Sequence, residues 1–258
     1  MKKIIFFLIS LSIAITLFAK DSTVSLADSL YLQKEYYSAI KLYEDAIEKD
    51  GLSSDIYYNL GNAYYRSGNL GKAILNYERA LRLNPGNEDA RFNLDFVKAK
   101  CIDKIPDNRN FITRLVDSVI NLFAPNTWAY LSIFTLILII SSIALYMYAK
   151  NIQMRKIGFF GGIILTFMWV LMIGFSIVAA INATDKSNAI IMDESTMLSV
   201  GPFSPQNHAE EAILLHEGTK VEILDSVQSQ NETEGILWYE IEINGNRAWI
   251  NSLSVEKI

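Results

Sequence analysis

"AIKLYEDAI" at 39–47 and "AILNYERAL" at 73–81 are one pattern written twice, and their separation of 34 residues decides how the front of the chain folds. Ala39, Tyr43 and Ala46 return as Ala73, Tyr77 and Ala80, and upstream Leu26-Ala27 returns as Leu60-Gly61. A fixed period of this size means stacked helical hairpins, none of which buries its apolar face alone. Such stacks present a curved surface to another polypeptide. The first expectation is therefore a binding protein, not an enzyme.

Turn and cap residues place the helices. Asp21/Ser22 open the first, which runs to about Gln33; the second spans about Tyr36 to Lys49 and stops at Gly51. Ser53/Ser54 open a third that ends at Gly68, and a fourth covers Leu70 to Leu83 before Asn84-Pro85-Gly86. Asn87-Glu88-Asp89 start a fifth, with acids where the helix dipole favours them. Small residues (Gly61, Ala27, Ala39, Ala73) fall where antiparallel helices must approach, and Tyr43, Tyr64 and Tyr77 fill the space between them. Asn59-Leu60 is echoed by Asn93-Leu94, but Asp95 replaces the small Gly61, so the fifth helix reads as a terminal cap. Two and a half repeats are short for a stable stack, since about three are needed. The remaining apolar edge requires a cover.

The set Tyr57, Leu60, Gly61, Tyr64, Gly68, Ala73, Tyr77, Ala80 and Pro85 resembles the tetratricopeptide repeat. In the first copy Thr23, Leu30 and Gly51 replace Tyr57, Tyr64 and Pro85. The resemblance implies that the first helix of each repeat lines a concave groove. By register that groove holds Asp28, Tyr31, Asp55, Tyr58, Asn62, Tyr65, Arg66, Phe92, Phe96 and Lys100. Aromatic rings beside an amide and a guanidinium suit an extended peptide, and the expected partner-binding residues are Tyr31, Tyr58, Asn62, Tyr65, Arg66, Phe92 and Phe96.

Apolar residues make up 51% of the 258, and two uncharged runs explain the excess. Residues 128–149 would span about 33 Å as a helix, enough for a bilayer core. A second run follows in 157–181, and 150–156 between them carries Lys150, Arg155 and Lys156 without an acid. This predicts a two-helix membrane hairpin with a basic loop, which stays cytoplasmic. No ionisable side chain stands inside either run, which argues against a pump or channel. Gly158 and Gly162 form a small-x-x-x-small pair, read as packing within the hairpin. Residues 106–127 hold an amphipathic helix, with Phe111, Ile112, Leu115, Val116, Val119, Ile120 and Phe123 on one face. At the front, Lys2-Lys3 precede the apolar stretch Ile4 to Ala19, the layout of a signal peptide; Leu17 sits poorly for cleavage, and a retained anchor is the alternative. Either way the soluble parts face outward, the periplasm in a bacterium with two membranes.

In 187–258 the pattern shifts to strands: 189–192, 219–224, 238–243 and 247–250, the last two joined by Asn244-Gly245. Short strands in about 70 residues predict a small all-β barrel. Three basic and twelve acidic residues there disfavour nucleic acid. "MLSVGP" at 197–202, Leu215, Gly218, Trp238 and the "AWI" at 248–250 resemble the bacterial SH3-like domain, although Gly201 stands directly after Val200, where relatives carry an arginine. Residues 203–212 read as a polar insertion. The resemblance implies peptide or peptidoglycan binding, with Trp238 and Trp249 read as core. His208 and His216 near Glu210, Glu211 and Glu217 read as loop decoration, so no metal or other cofactor is expected, and the single Cys101 reads as a packed thiol.

The whole order (signal, repeats at 20–105, membrane hairpin, SH3-like barrel) is similar to the BatE-like family of the Bacteroides aerotolerance operon. That resemblance implies an inner-membrane scaffold working with Bat proteins that carry von Willebrand A domains and with a MoxR-type ATPase.

Overall fold

The computed structural model describes residues 22–106, 109–228, 236–243 and 245–258; the apolar segment at 1–19, Asp21 and Asn244 lie outside the described residues. Two helical hairpins lead, α1 (Ser22–Leu32) with α2 (Tyr36–Asp50) and α3 (Ser54–Arg66) with α4 (Leu70–Leu83), followed by α5 (Glu88–Lys98). The side chains of Asn69 and Asn87 start α4 and α5, accepting from Lys72 N at 2.9 Å and Ala90 N at 3.0 Å.

The 34-residue period extends to single hydrogen bonds. The turn after α1 sets Glu35 N on Leu30 O and Lys34 N on Tyr31 O; the turn after α3 repeats both, with Asn69 N on Tyr64 O and Gly68 N on Tyr65 O. This pair of bonds needs one residue at positive φ, and the two copies supply Lys34 (φ 65°) and Gly68 (φ 90°). Inside each hairpin a tyrosine of the second helix donates to the first: Tyr43 to Asp28 and Tyr77 to Asn62, both at 2.7 Å. The next first helix then donates an amide to the same acceptor, Asn59 to Asp28 at 3.2 Å and Asn93 to Asn62 at 2.8 Å. The Asn59/Asn93 echo in the sequence is thus a repeated tie between repeats. Gly61 lets the Tyr77 ring lie flat on α3, since a Cβ there would stand 2.8 Å from it.

Beyond α5, α6 (Phe111–Ile120) leads into two helices long and apolar enough to cross a membrane, α7 (Pro125–Tyr148) and α8 (Ile152–Thr184). Pro125 stands at the first position of α7, where its missing N–H is no loss. The expected basic loop at 150–156 is shorter than its sequence implied. With 33 residues α8 begins at Ile152, so Arg155 and Lys156 already lie in helix. The reason is that Asn151 caps this start, accepting from Gln153 N at 2.8 Å. Gly158 carries the close crossing of the two helices: its Cβ would meet Tyr146 N at 2.7 Å, and Ser142 Oγ donates to Gly158 O at 2.7 Å.

The C-terminal module is one antiparallel sheet of seven strands in the order β3-β2-β6-β5-β4-β1-β7. They are β1 (Asn188–Ile191), β2 (Ser195–Ser199), β3 (Glu211–His216), β4 (Lys220–Gln228), β5 (Leu237–Ile243), β6 (Asn246–Asn251) and β7 (Val255–Lys257). Gly245 takes φ 79° between β5 and β6. Three of these strands were not expected, β2 among them. β3 begins inside the supposed polar insertion, and β7 follows a short 3-10 turn that Asn251 caps through Leu253 N at 2.9 Å. The sheet curls over one apolar cluster, with Leu215 of β3 and Val255 of β7 both buried in it. It is not the closed barrel that the strand pattern predicted. No ladder joins β3 to β7 among the described residues. β7 is three residues long, and its end is already taken by the repeats: Arg79 donates to Lys257 O at 2.6 Å and Ile258 is buried against them.

That contact is the cover the short stack requires. Ile190 and Ile258 of the sheet module lie in one apolar cluster with Ile74, Leu75, Leu94 and Cys101 of the repeats. Gly218, at φ 84°, brings the β3–β4 turn so close that a Cβ would stand 2.7 Å from Ile74 and 2.8 Å from Cys101. Glu78 of α4 then pairs with Lys98 of α5 at 2.6 Å and Lys220 of β4 at 2.9 Å, its side chain only 12% exposed. Arg79 pairs with Glu256 at 3.0 Å, and Glu217 accepts from Gly71 N at 2.7 Å. Asp103, in the linker after α5, accepts from His216 N and Thr219 Oγ1, both at 2.7 Å. Burial raises the Asp103 carboxyl, but those bonds outweigh it and hold its pKa down. Burial also raises Glu78, yet Lys220 and Lys98 dominate and hold it at about 2, below the ordinary 4.5.

Two outcomes follow from this packing. Lys34→Gly removes a side chain from a left-handed position and should stabilise the protein by about 0.5–1 kcal/mol, read as a higher unfolding midpoint in detergent; a lower one refutes the turn assignment. Because the folded pKa of Glu78 lies below the unfolded one, its contribution is present above about pH 4.5 and is lost as pH falls toward 2. Glu78→Gln should cost roughly 2 kcal/mol at neutral pH, since both lysines stay partly wet. It should also flatten the fall in denaturant midpoint below pH 4.5, and an unchanged acid limb would contradict this.

Candidate partner-binding groove

α1, α3 and α5 lie side by side, and the residues expected to line a groove divide there into two kinds. Asn62 does not face a ligand with its oxygen: Oδ1 is taken by Tyr77 and Asn93. Asp28, at the same place one repeat earlier, is taken by Tyr43 and Asn59. Tyr58 is half-buried with its ring 6.2 Å from that of Tyr77, and its hydroxyl accepts from Asn93 at 3.5 Å. Burial first, and then neighbouring tyrosines, push the Tyr77 hydroxyl well above its ordinary pKa, so it stays a neutral donor. These groups hold the stack together.

One residue further outward the surface is open. The Tyr31 ring lies 5.5 Å from that of Tyr36, tilted against it, and Arg66 is exposed. A side-chain hydrogen bond with Tyr31 raises the pKa of its guanidinium. A second pair of rings joins α3 to α5. The Tyr65 ring meets Phe96 edge-on at 5.9 Å, and Lys100 Nζ stands 4.8 Å over Tyr65 and 4.6 Å over Phe96 while donating to the Tyr65 hydroxyl. Phe92, 72% exposed, extends the apolar strip along α5, and Asp55 is exposed at the start of α3. The result is a strip of rings with two cations set among them. An extended segment bearing apolar side chains and a carboxylate matches it in chemistry.

Elsewhere the singled-out residues serve packing. Cys101 lies just past α5, not within it, and is buried against Gly218; burial raises its thiol pKa. His216 faces Asp103 at 3.0 Å and His208 faces Glu211 at 2.8 Å. Trp238 is 3% exposed, which removes it as a stacking platform, and Trp249 is half-buried. Sequence reasoning missed the docking face of α4. A signal for it was present, because the second copy carries Leu75, Arg79 and Arg82 where the first carries Lys41, Asp45 and Glu48.

With the geometry in view, comparison with protein families finds the tetratricopeptide repeat at residues 54–87, which are α3, α4 and the turn after them. Comparison with curated proteins finds no match. The front of this chain therefore carries a tetratricopeptide repeat, a unit that suggests a scaffold for protein–protein contacts.

The two kinds of residue separate by mutation. Asn62→Ala should lower stability by about 1–3 kcal/mol, because two donors lose their acceptor, whereas Arg66→Ala should change it by no more than about 0.5 kcal/mol. Thermal unfolding of both variants, followed by helix signal, decides; equal effects would refute the division.

Proposed function

We propose that this protein is a membrane-anchored scaffold that grips an extended segment of a partner protein in the groove of its repeats, without catalysis of its own. The supporting observation is the open strip of Tyr31, Arg66, Tyr65, Phe96 and Lys100 on a tetratricopeptide repeat. α7 and α8 form the anchor in this reading, two apolar helices joined by a short turn. The repeats and the sheet touch, so both lie on one side of the anchor. The basic residues Lys150, Arg155 and Lys156 at the opposite end favour a cytoplasmic turn, which supports the reading of both modules as periplasmic parts of an inner-membrane protein.

The order of segments supports kinship with the BatE-like family, and with it a role among Bat proteins carrying von Willebrand A domains and a MoxR-type ATPase. The SH3-like resemblance of the sheet adds peptidoglycan as a second ligand class; burial of Trp238 weakens it, and the groove is the stronger reading.

Arg66→Ala, Phe96→Ala and Lys100→Ala combined should reduce recovery of crosslinked partner from intact membranes at least about tenfold, with an unchanged unfolding midpoint. Undiminished recovery would reject the groove as the binding surface.

A further inference from the structure

Where the repeats meet the outer end of the helical hairpin, two cavities of about 450 and 440 Å³ run together, sharing Arg91, Arg109 and Asn121 in their walls. Arg82 lines the first and Arg114 the second, so four guanidinium groups stand along one trough. Much of the other charge there is already matched. Glu78 is held by Lys98 and Lys220, Asp117 accepts from Arg109 at 2.8 Å, and Asp185 accepts from Ser187 N at 2.9 Å. Glu88 and Asp95 also line the walls, exposed on α5 as Arg91 is. Among the described residues Arg82, Arg91 and Arg114 pair with no carboxylate side chain; Arg82 Nη1 donates to Asp185 O at 3.1 Å and to Ile258 O, Arg91 Nη2 donates to Pro85 O at 2.6 Å, and Arg82 Nε is buried without a hydrogen bond.

Its place in the fold says what it faces. The wall includes Asn182, in the last turn of α8, and Asn121, at the end of α6. α6 is pinned to the hairpin, with Trp128 Nε1 donating to Ile120 O at 2.9 Å and Ile120 packed with Ala179 of α8. Its other apolar residues are uncovered, Phe111 and Ile112 being 72% and 71% exposed. A helix continuous with two apolar helices, and bare on one face, belongs in the interfacial layer of a bilayer. The trough then opens at the depth of lipid phosphates, and guanidinium groups bind phosphate oxygens in pairs.

We propose that this trough binds the headgroup phosphate of an anionic phospholipid in the leaflet on which the two modules sit. The inference rests on the reading that α7 and α8 cross a bilayer. A bound lipid ties α5, α6 and the sheet-bearing end of α8 to one headgroup, fixing the angle at which the groove stands over the membrane.

The test uses the full chain, extracted in mild detergent from bilayers of equimolar phosphatidylcholine and phosphatidylglycerol, with retained lipid measured by mass spectrometry. Phosphatidylglycerol should be enriched about tenfold over phosphatidylcholine. Arg91→Gln with Arg114→Gln should abolish the enrichment at an unchanged unfolding midpoint, and Arg91→Lys with Arg114→Lys should restore part of it. Equal retention of both lipids, or enrichment that survives the glutamine pair, overturns the proposal. So does stabilisation by inorganic phosphate as large as that by phosphatidylglycerol, which would make the trough a site for soluble phosphate. Release of the protein by alkaline carbonate overturns the bilayer reading and this one with it; embedded protein without lipid preference overturns this one alone.

Discussion

A single carboxylate facing two ammonium groups decides how this molecule is assembled. Glu78 leaves α4 on the side away from the groove, into a place that is buried only because α5 and β4 are both there. Neither lysine alone would offset the loss of water around that charge. With both present the carboxylate is held ionised, and the pair of bonds fixes three elements that are far apart in sequence. Ile74, Ile190, Ile258 and Cys101 pack around the same junction, so the charge cluster sits at the edge of an apolar contact that excludes water from it.

This junction resolves the difficulty of a stack with too few repeats. An α-hairpin array must end on something that covers its last apolar edge. Here a third hairpin is replaced by a curled sheet, and the replacement constrains the sheet in turn. β7 gives its end to Arg79 and the repeats, so the two edge strands do not meet and the sheet stays open. The same contact assigns the two sides of the repeats to different tasks. The face of α4 is consumed by the sheet, which leaves the groove of α1, α3 and α5 as the side free for a partner.

The helical period was legible because it rests on local facts: small residues at crossings, capping asparagines, and turns that need one residue at positive φ. The strands Asn188–Ile191, Lys220–Gln228 and Asn246–Asn251 were legible for a similar reason, since branched and aromatic residues cluster in them. What the pattern could not reveal was non-local. "EAILLH" does not alternate cleanly, because Leu214 is exposed and Leu215 buried at one edge of a curled sheet, and β7 is a strand only because β1 lies beside it. The basic tip read as a loop because charge was taken for a break, whereas Arg155 and Lys156 are good helix formers directly after a capping asparagine.

The groove residues show the same boundary at finer scale. Asn62 and Arg66 are one turn apart on α3, and both occupy first-helix positions that a family register assigns to ligand binding. Their fates differ because of what α4 and α5 send toward them. A tyrosine from the second helix and an asparagine from the next repeat converge on position 62, as they do on position 28, and this convergence recurs with the period. Arg66 has a hydrogen bond with Tyr31 and stays exposed, which leaves its guanidinium further donors. Lys100 stands 34 residues after Arg66, so a basic residue recurs at this register position too; what separates the two kinds of polar residue is whether neighbouring helices send donors to them, as at 28 and 62, or leave them on the surface, as at 66 and 100.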